Sequence, residues 1–150
     1  MGNSIENIIY DLIKFMSLFH RLFTPALKKG ADDRYNCTKN QAKAIIVIGK
    51  ANKITPTILG KCMDMEKGSI TTLIDSMENM NLVYRVDDPT DKRKVWIKLT
   101  EEGKQHYLKQ EEKFIKKIEE IFENLSKEEM SEFSTSLKNI VEILEKVRDD

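Results

Sequence analysis

Apolar residues recur every three or four positions at the start of this chain, the spacing that places them on one side of an α-helix. The pattern predicts a first helix from about Ser4 to Phe23. Pro25 should end or bend it, because proline lacks the amide hydrogen that continues a helix. The apolar stripe is wide, so we expect this helix to pack on its own core and on a second subunit. A polar connection over residues 28–36 follows.

A second helix is predicted after Thr38, because Thr38 and Gln41 have the spacing of a capping box. In a capping box, each of the two side chains bonds a backbone amide at the start of the helix. Apolar residues nearly encircle this helix, so we expect it to be buried centrally. They are Ala42, Ala44, Ile45, Ile46, Val47 and Ile48.

Two shorter helices are predicted in the middle of the chain. Thr55 followed by Pro56 is a strong helix start, and the third helix should run to about Cys62. After a turn over residues 63–65, a fourth helix should extend from about Lys67 to Met80. Its buried face is predicted to consist of Ile70, Leu73, Ile74 and Met77.

The opposite face of the fourth helix carries small hydroxyl residues and a lysine near its first turn. They are Lys67, Ser69, Thr71 and Thr72. Such side chains let the helix backbone approach DNA and can hydrogen-bond base edges or phosphates in a major groove. An ordinary solvated helix face is the alternative that the residues leave open.

A β-hairpin with a basic tip is predicted next. Residues 82–86 and 94–99 alternate between apolar and polar positions, and the turn-rich stretch 87–93 separates them. The tip is crowded with Lys92, Arg93 and Lys94, and an arginine on a protruding ribbon can reach into a narrow minor groove. We expect Asp91 to hold the guanidinium of Arg93 in a bidentate pair. A salt-bridged surface hairpin without a function is the alternative.

Two further helices complete the chain. Thr100 should cap the first of them, which extends to about Asn124, and Ser126 with Glu129 forms a second capping box. These helices and the first helix carry more apolar surface than a monomer of 150 residues needs. We therefore expect a helical dimer interface, with a monomeric helix bundle as the alternative.

The charge distribution limits the kind of partner that we expect this protein to bind. The formal net charge is zero, which argues against a non-specific nucleic-acid coat protein. Acidic residues outnumber basic ones only in residues 101–150, so the first two thirds are mildly basic. This distribution suits a protein that touches phosphate with one surface. No apolar run is long enough to span a membrane, and the first residues are acidic where a signal peptide is basic, so we expect a cytoplasmic protein.

Residues able to perform chemistry are few and scattered. Cys37 and Cys62 are far apart in sequence and form no metal-ligand spacing with each other or with His20 and His106. We expect the cysteines to behave as small hydrophobic residues, and the histidines to lie on surfaces or interfaces. No nucleophile–base pair or phosphate-binding glycine loop is present. The sequence therefore predicts neither an enzyme nor a metal or cofactor site.

The stretch from Ile54 to Gly103 resembles the MarR family of winged helix-turn-helix transcriptional regulators. Its segment GSITTLIDSMENMNLVYR is similar to the recognition helix of that family and its exit into the wing. The following DDPTDKRKVWIKLTEEG is similar to the wing, which ends in Leu-Thr-x-x-Gly. The chain departs from the family at Glu66, where a Ser, Thr or Asp cap is usual, and at Asn81, where Gly is usual.

The resemblance implies a mostly α fold with a small β-hairpin wing: a winged helix-turn-helix plus N- and C-terminal dimerisation helices. The three parts would be residues 1–36, 37–100 and 101–150. It implies a homodimer that binds double-stranded DNA at a pseudo-palindromic operator, most often as a repressor. Thr55 would touch phosphate and Arg93 would probe the minor groove, braced by Asp91.

In many members of the family a small phenolic or other lipophilic ligand releases the DNA, and others respond to cysteine oxidation. His20 is a candidate for the wall of such an effector pocket. The chain lacks the reactive cysteine that the oxidation-sensing branch carries near the start of its first helix. A protein–protein adaptor that keeps the winged-helix fold without reading DNA is the alternative function.

Overall fold

A computed structural model describes residues 2–25 and 35–148 of the chain. It consists of six helices and one two-stranded antiparallel hairpin within those ranges, which confirms the expected mostly α fold with a small β-hairpin wing. The elements are α1 (Gly2–Phe23), α2 (Lys39–Ala51), α3 (Pro56–Met63), α4 (Lys67–Asn79), β1 (Val83–Asp87), β2 (Val95–Leu99), α5 (Glu101–Ile121) and α6 (Lys127–Arg148). The greater part of the predicted polar connection, residues 28–34, lies outside the described residues.

The chain forms two compact units, residues 1–115 and residues 116–150. The boundary falls within α5. The division of the chain into parts 1–36, 37–100 and 101–150 stays a prediction from the sequence.

The core of the first unit lies between α2, α3, α4 and the hairpin. Its largest fully buried side chains include Ile45, Ile48, Leu59, Ile74 and Ile97. α2 packs against α3, α4 and β2. The expectation that α2 is buried centrally is confirmed for Ala44, Ile45 and Ile48, which are fully buried. The other apolar residues of the helix, Ala42, Ile46 and Val47, stay partly exposed.

The helix starts follow the local sequence closely. The capping box at α2 is confirmed, because the Gln41 amide donates to Thr38 Oγ1 over 3.2 Å and Gln41 Oε1 accepts from the Thr38 amide over 2.9 Å. Ser126 and Glu129 make the same reciprocal pair before α6. These contacts satisfy amides that have no partner inside the helix.

Left-handed residues close the helices of the central region. Asp64 ends α3 with φ 51°, and Asn81 follows α4 with φ 59°. Asn tolerates this conformation better than most residues, so the prediction that Asn81 stops the helix is confirmed. The predicted buried face of α4 is also confirmed.

The hairpin is joined to the helices at both ends. β1 pairs with β2 from Val83 opposite Leu99 to Asp87 opposite Val95. Ile54, just before α3, adds a bridge to Ile97 on β2, with N–H···O distances of 3.1 and 2.7 Å. The wing is therefore hydrogen-bonded to the chain between α2 and α3.

The junction between the wing and α5 is tightly packed. Thr100 Oγ1 donates to the Asn81 carbonyl over 2.7 Å and accepts from the Gly103 amide over 2.9 Å. A Cβ atom at Gly103 would lie 2.0 Å from the Leu82 carbonyl oxygen. Glycine is therefore required there by the close approach of the α4–β1 turn.

The terminal helices present a different surface. The apolar residues of α1 and α6 are exposed, for example Met16 at 66% and Val147 at 67%. No helix within the described ranges is both long and apolar enough to cross a membrane.

Candidate nucleic-acid interface

The outer face of α4 presents all four residues that the sequence analysis placed there. Lys67, Ser69, Thr71 and Thr72 are exposed. The Thr71 hydroxyl donates to the Lys67 carbonyl over 2.9 Å, and the Thr72 hydroxyl donates to the Gly68 carbonyl over 3.1 Å. Because each hydroxyl proton is used within the helix, the threonine oxygens keep lone pairs as acceptors. They suit the amino groups of cytosine or adenine in a major groove.

The first turn of α4 has free space around it. Glu66 is the N-cap and makes no side-chain capping hydrogen bond. A Cβ atom at Gly68 would meet nothing within 4 Å. The start of the helix can therefore approach a large partner closely.

Thr55 caps α3, as predicted. Its Oγ1 accepts from the Ile58 amide over 3.3 Å, and Pro56 occupies the first helical position. The hydroxyl proton of Thr55 is not used in that bond, so the side chain keeps a donor for a phosphate oxygen. The contact itself stays a prediction.

An arginine that the sequence analysis did not single out connects α4 to the wing. Arg85 on β1 forms ion pairs with Asp75 over 2.6 Å and with Glu78 over 2.7 Å. Exposed ion pairs of this kind add little stability, but two of them together fix the direction of the Arg85 guanidinium. Arg85 therefore neutralises two carboxylates of α4 and sets the helix against the hairpin.

The tip of the wing is built around the carboxylate of Asp88. Its Oδ1 accepts from the amide and the hydroxyl of Thr90 and from the amide of Asp91, each over 2.9 Å. Its Oδ2 accepts from Trp96 Nε1 over 2.8 Å. The Trp96 hydrogen bond, followed by those from the Thr90 and Asp91 amides, holds the pKa of Asp88 well below its usual range. The charged carboxylate is thus the form that the tip requires.

Arg93 projects from this tip, with 92% of its side chain exposed. Its Nε lies 3.3 Å from Asp91 Oδ1, and its own amide donates to the same oxygen over 3.0 Å. The expected bidentate pair was therefore wrong. The amide of Arg93 draws one carboxylate oxygen against the chain, so a single oxygen serves both donors. Lys92 and Lys94 are exposed on the same tip, which brings the four predicted wing residues together.

Two lysine side chains lie close to the Trp96 ring, a contact that the sequence analysis did not predict. Lys53 Nζ lies 4.4 Å from the centre of the indole ring, and Lys94 Nζ lies 6.0 Å from it. Lys53 belongs to the short segment between α2 and α3. No local pattern signals this contact, because 43 positions separate Lys53 from Trp96 along the chain.

The histidines and cysteines have unequal surroundings. His106 is 5% exposed, and its Nε2 lies 3.6 Å from Cys37 Sγ, so the expectation of a surface or interface histidine was wrong. The start of α5 packs toward the residues before α2, which encloses this pair. Cys62 is exposed rather than packed. His20 is exposed on α1 and bonds Thr24, and its role in an effector pocket stays a prediction.

Comparisons with known proteins agree on one family. A model described as the MarR family matches residues 37–95. The HTH-type transcriptional repressor YetL of Bacillus subtilis is 34% identical over 100 residues, which is 67% of this chain and 60% of that protein. The chain thus spans less than two thirds of the length of this curated relative.

Solved structures share the architecture over most of the chain. The structure of NadR in complex with 4-hydroxyphenylacetate has a TM-score of 0.71 and 25% identity, covering 89% of this chain and 91% of that one. A cysteine-to-serine mutant of MarR from E. coli complexed with operator DNA has a TM-score of 0.64 and 25% identity, covering 93% and 97%. The order of helices, the hairpin wing and these likenesses together show that the chain belongs to the MarR family of transcriptional regulators.

Proposed function

We propose that this protein is a sequence-specific DNA-binding transcriptional regulator that binds a pseudo-palindromic operator as a homodimer, and that it acts as a repressor in the cytoplasm. The observation that carries the proposal is the exposure of two complementary surfaces on one folded module. These are the hydroxyl face of α4 and the cationic tip of the wing. MarR-family proteins are non-enzymatic DNA-binding regulators, which agrees with the expectation that the chain is not an enzyme.

In this proposal α4 enters the major groove. Thr71 and Thr72 accept hydrogen bonds from base amino groups, while Lys67 and Ser69 contact phosphates or guanine. The ion pairs of Arg85 with Asp75 and Glu78 support this placement, because they reduce the negative charge that α4 would bring toward phosphates. Thr55 contacts the DNA backbone from the start of α3.

The wing reaches the neighbouring minor groove. Arg93 is the probe, because it is exposed and held at its base by Asp91, while Lys92 and Lys94 face the flanking phosphates. Asp88 keeps the tip rigid through its four hydrogen bonds. A rigid tip loses less conformational entropy when it binds.

A second copy of the chain would cover the exposed apolar surface of the terminal helices. Both α1 and α6 carry long stripes of exposed aliphatic side chains, and Leu108 and Ile115 on α5 are exposed as well. Contiguous apolar surface of this extent is characteristic of an interface. A homodimer would also place two winged modules at the fixed spacing that a palindromic operator requires.

We propose a small effector because the likeness to the MarR family implies one. NadR, which has the same fold, is described in complex with 4-hydroxyphenylacetate, a phenolic acid. The repressor role is supported by the similarity to YetL, which is a transcriptional repressor. We propose a phenolic or other lipophilic ligand that releases the DNA, with His20 as a candidate wall residue.

Selection from a pool of random duplexes tests the DNA-binding proposal. The purified protein should enrich a short palindrome. Fluorescence anisotropy with that duplex should then show a loss of at least about 10-fold for Arg93→Ala, since one good arginine contact contributes about 1–3 kcal/mol. Lys109→Ala, on the exposed face of α5, is the control and should bind like the parent protein.

Two outcomes count against the proposal. A pool that yields no motif would favour the adaptor function, in which the winged helix contacts another protein. Unchanged operator binding by a folded Arg93→Ala dimer would remove the wing from the interface while leaving α4 as the reader. Repeating the selection with phenolic acids present would show whether such ligands release the DNA.

A further inference from the structure

Two lysines from different parts of the chain share one aromatic ring on the side of the wing. Lys53 Nζ lies 4.4 Å from the centre of the Trp96 indole and Lys94 Nζ lies 6.0 Å from it. Both lysines are exposed, whereas Trp96 is partly buried. A tryptophan face is the side-chain surface that attracts ammonium groups best, and distances up to about 6 Å are effective.

The backbone explains why Lys53 reaches the wing. Its neighbour Ile54 is hydrogen-bonded in both directions to Ile97, the residue that follows Trp96. Asn52 on the other side has φ 69° and ψ −48°, an unusual conformation for a residue with a side chain. The chain between α2 and α3 is therefore turned sharply and then fixed to β2, which places Lys53 beside the ring.

The indole itself is held in one orientation. Trp96 Nε1 donates to Asp88 Oδ2 over 2.8 Å, and the other oxygen of Asp88 is bound by the tip of the wing. The ring is thus braced at its polar edge, and both ammonium groups lie over it. It connects the segment before α3 with the loop that carries Arg93.

The charge around the ring is unbalanced on its outer side. Neither Lys53 nor Lys94 forms an ion pair with any residue in the described part of the chain. The charged carboxylate of Asp88 is hydrogen-bonded to the indole N–H, so two ammonium groups and one carboxylate lie close to the ring and leave an excess of positive charge. Two like charges near one ring repel each other, and an anion placed between them would relieve that repulsion.

We infer that Lys53, Lys94 and Trp96 form a phosphate-binding site, in which Trp96 positions the two ammonium groups around one phosphate of the DNA backbone. This inference deepens the proposed function and rests on it. Lys53 becomes a DNA-contacting residue in addition to those identified from the sequence. Trp96 and Asp88 are positioning residues, since they act through the lysines and the wing.

A salt series tests the site. The probes are the operator duplex recovered by selection and a duplex of random sequence, each titrated with the parent protein, Lys53→Gln, Lys94→Gln, the double variant and Lys109→Gln. A phosphate contact carries no base information, so Lys53→Gln should weaken binding to both probes by a similar factor, about 3- to 10-fold. The slope of log K against log salt should fall, but by no more than about 0.9, the value for one neutralised phosphate.

The double variant tells a shared phosphate from two separate ones. If both lysines hold one phosphate, the double variant should lose about 0.9 of the slope in all. A loss of about twice that value would mean two separate phosphates and would overturn the shared site. If Lys53→Gln binds both probes with the same affinity and salt slope as Lys109→Gln, the inference is overturned while the proposed function stands. A parent protein that binds neither probe would overturn both.

The role of Trp96 is tested by a conservative pair of variants. Trp96→Phe keeps an aromatic face, so its salt slope should stay close to that of the parent protein. Trp96→Leu removes the face and should lower the slope as far as Lys53→Gln does, which loss of packing alone would not cause. A Trp96→Leu protein with the parent slope would show that the ring does not position the lysines.

The chain has a single tryptophan, so its fluorescence reports on this site directly. Adding either probe to the parent protein should change the emission of Trp96, because bound phosphate moves the two ammonium groups relative to the ring. In Lys53→Gln the change should be clearly smaller. An equal change in both proteins would contradict the inference.

Discussion

The winged module and the terminal helices use apolar residues in opposite ways. Between α2 and β2, the aliphatic side chains are buried almost completely, and Ile45, Ile74 and Ile97 are at most 1% exposed. On α1 and α6, side chains of the same kind are exposed, with Ile13 at 61% and Leu144 at 59%. Apolar surface is stabilising only when it is removed from water, at about 25 cal/mol per Å². The first region is therefore complete in one chain, whereas we propose that the second is completed by a second copy of the chain.

The polar contacts show the same contrast. The wing and α4 are crossed by hydrogen bonds and ion pairs that link distant residues, such as Arg85 with Asp75 and Trp96 with Asp88. At the start of α6, by contrast, Ser126 and Glu129 exchange hydrogen bonds within one helical turn. In the proposed complex, such bracing would hold the side chains of the winged module toward the DNA, and α6 would be covered by the second copy.

The largest expected effect comes from the exposed stripe of α6. Leu144→Glu would place a charge in the proposed dimer interface, and burying an unpaired charge is strongly unfavourable. The variant should sediment as a monomer and lose more than about 100-fold in operator affinity, since linking two modules gains 10²–10⁴ in avidity. Thr135→Glu, on the opposite side of the helix, is the control. A Leu144→Glu dimer of normal affinity would place the interface elsewhere.

The second largest effect is expected on the stability of the winged module. Gly103→Ala would put a Cβ atom 2.0 Å from the Leu82 carbonyl oxygen, so the start of α5 would have to move. We expect the free energy of unfolding to fall by about 3 kcal/mol, at the upper end of the usual cost of overpacking. Urea denaturation followed by circular dichroism measures this change. A loss under about 0.5 kcal/mol would mean that the α4–β1 turn yields easily.

A smaller effect is expected at the wing tip. The folded pKa of Asp88 lies below its unfolded value, so its charged form stabilises the fold above about pH 4. That contribution is lost as the pH falls through the folded pKa. Asp88→Asn should therefore lower the melting temperature at pH 7, and the difference from the parent protein should shrink only below about pH 4. A difference that stays constant into strong acid would assign the effect to packing instead.

The smallest effect is expected at Gly68, where one substitution should change stability and DNA binding in opposite directions. Gly68→Ala adds a methyl group where nothing lies within 4 Å, and alanine is favoured over glycine in a helix by roughly 0.5–1 kcal/mol. Thermal unfolding should show a slight stabilisation. Operator binding should weaken if α4 approaches DNA as proposed, because the methyl group would occupy that space. Unchanged binding would show that the first turn of α4 stands away from the DNA.

The features predicted correctly from the sequence depend on contacts within about four residues. Thr38 with Gln41 and Ser126 with Glu129 make capping boxes whatever surrounds the helix. Asn81 ends α4 because of its own backbone preference. The exposed positions of α4 and of the wing follow from helical and strand periodicity, so their placement on outer faces was also predictable.

The features that were missed or wrong join distant parts of the chain. His106 lies beside Cys37 although 69 positions separate them, and Lys53 lies beside Trp96. The carboxylate of Asp91 accepts with one oxygen because the backbone of Arg93 competes for it. Neither periodicity nor composition records which elements meet or how a turn directs a side chain.

By itself, the sequence determined the helices, the hairpin and its basic tip, because these follow from local spacing and from the φ preferences of Thr, Pro and Asn. It also marked α1 and α6 as apolar beyond the needs of one core. Only the tertiary structure decided that Asp88, Trp96 and Lys53 form one array. That array arises because Ile54 bonds to Ile97 and joins the segment before α3 to the wing, a pairing between residues far apart in the chain.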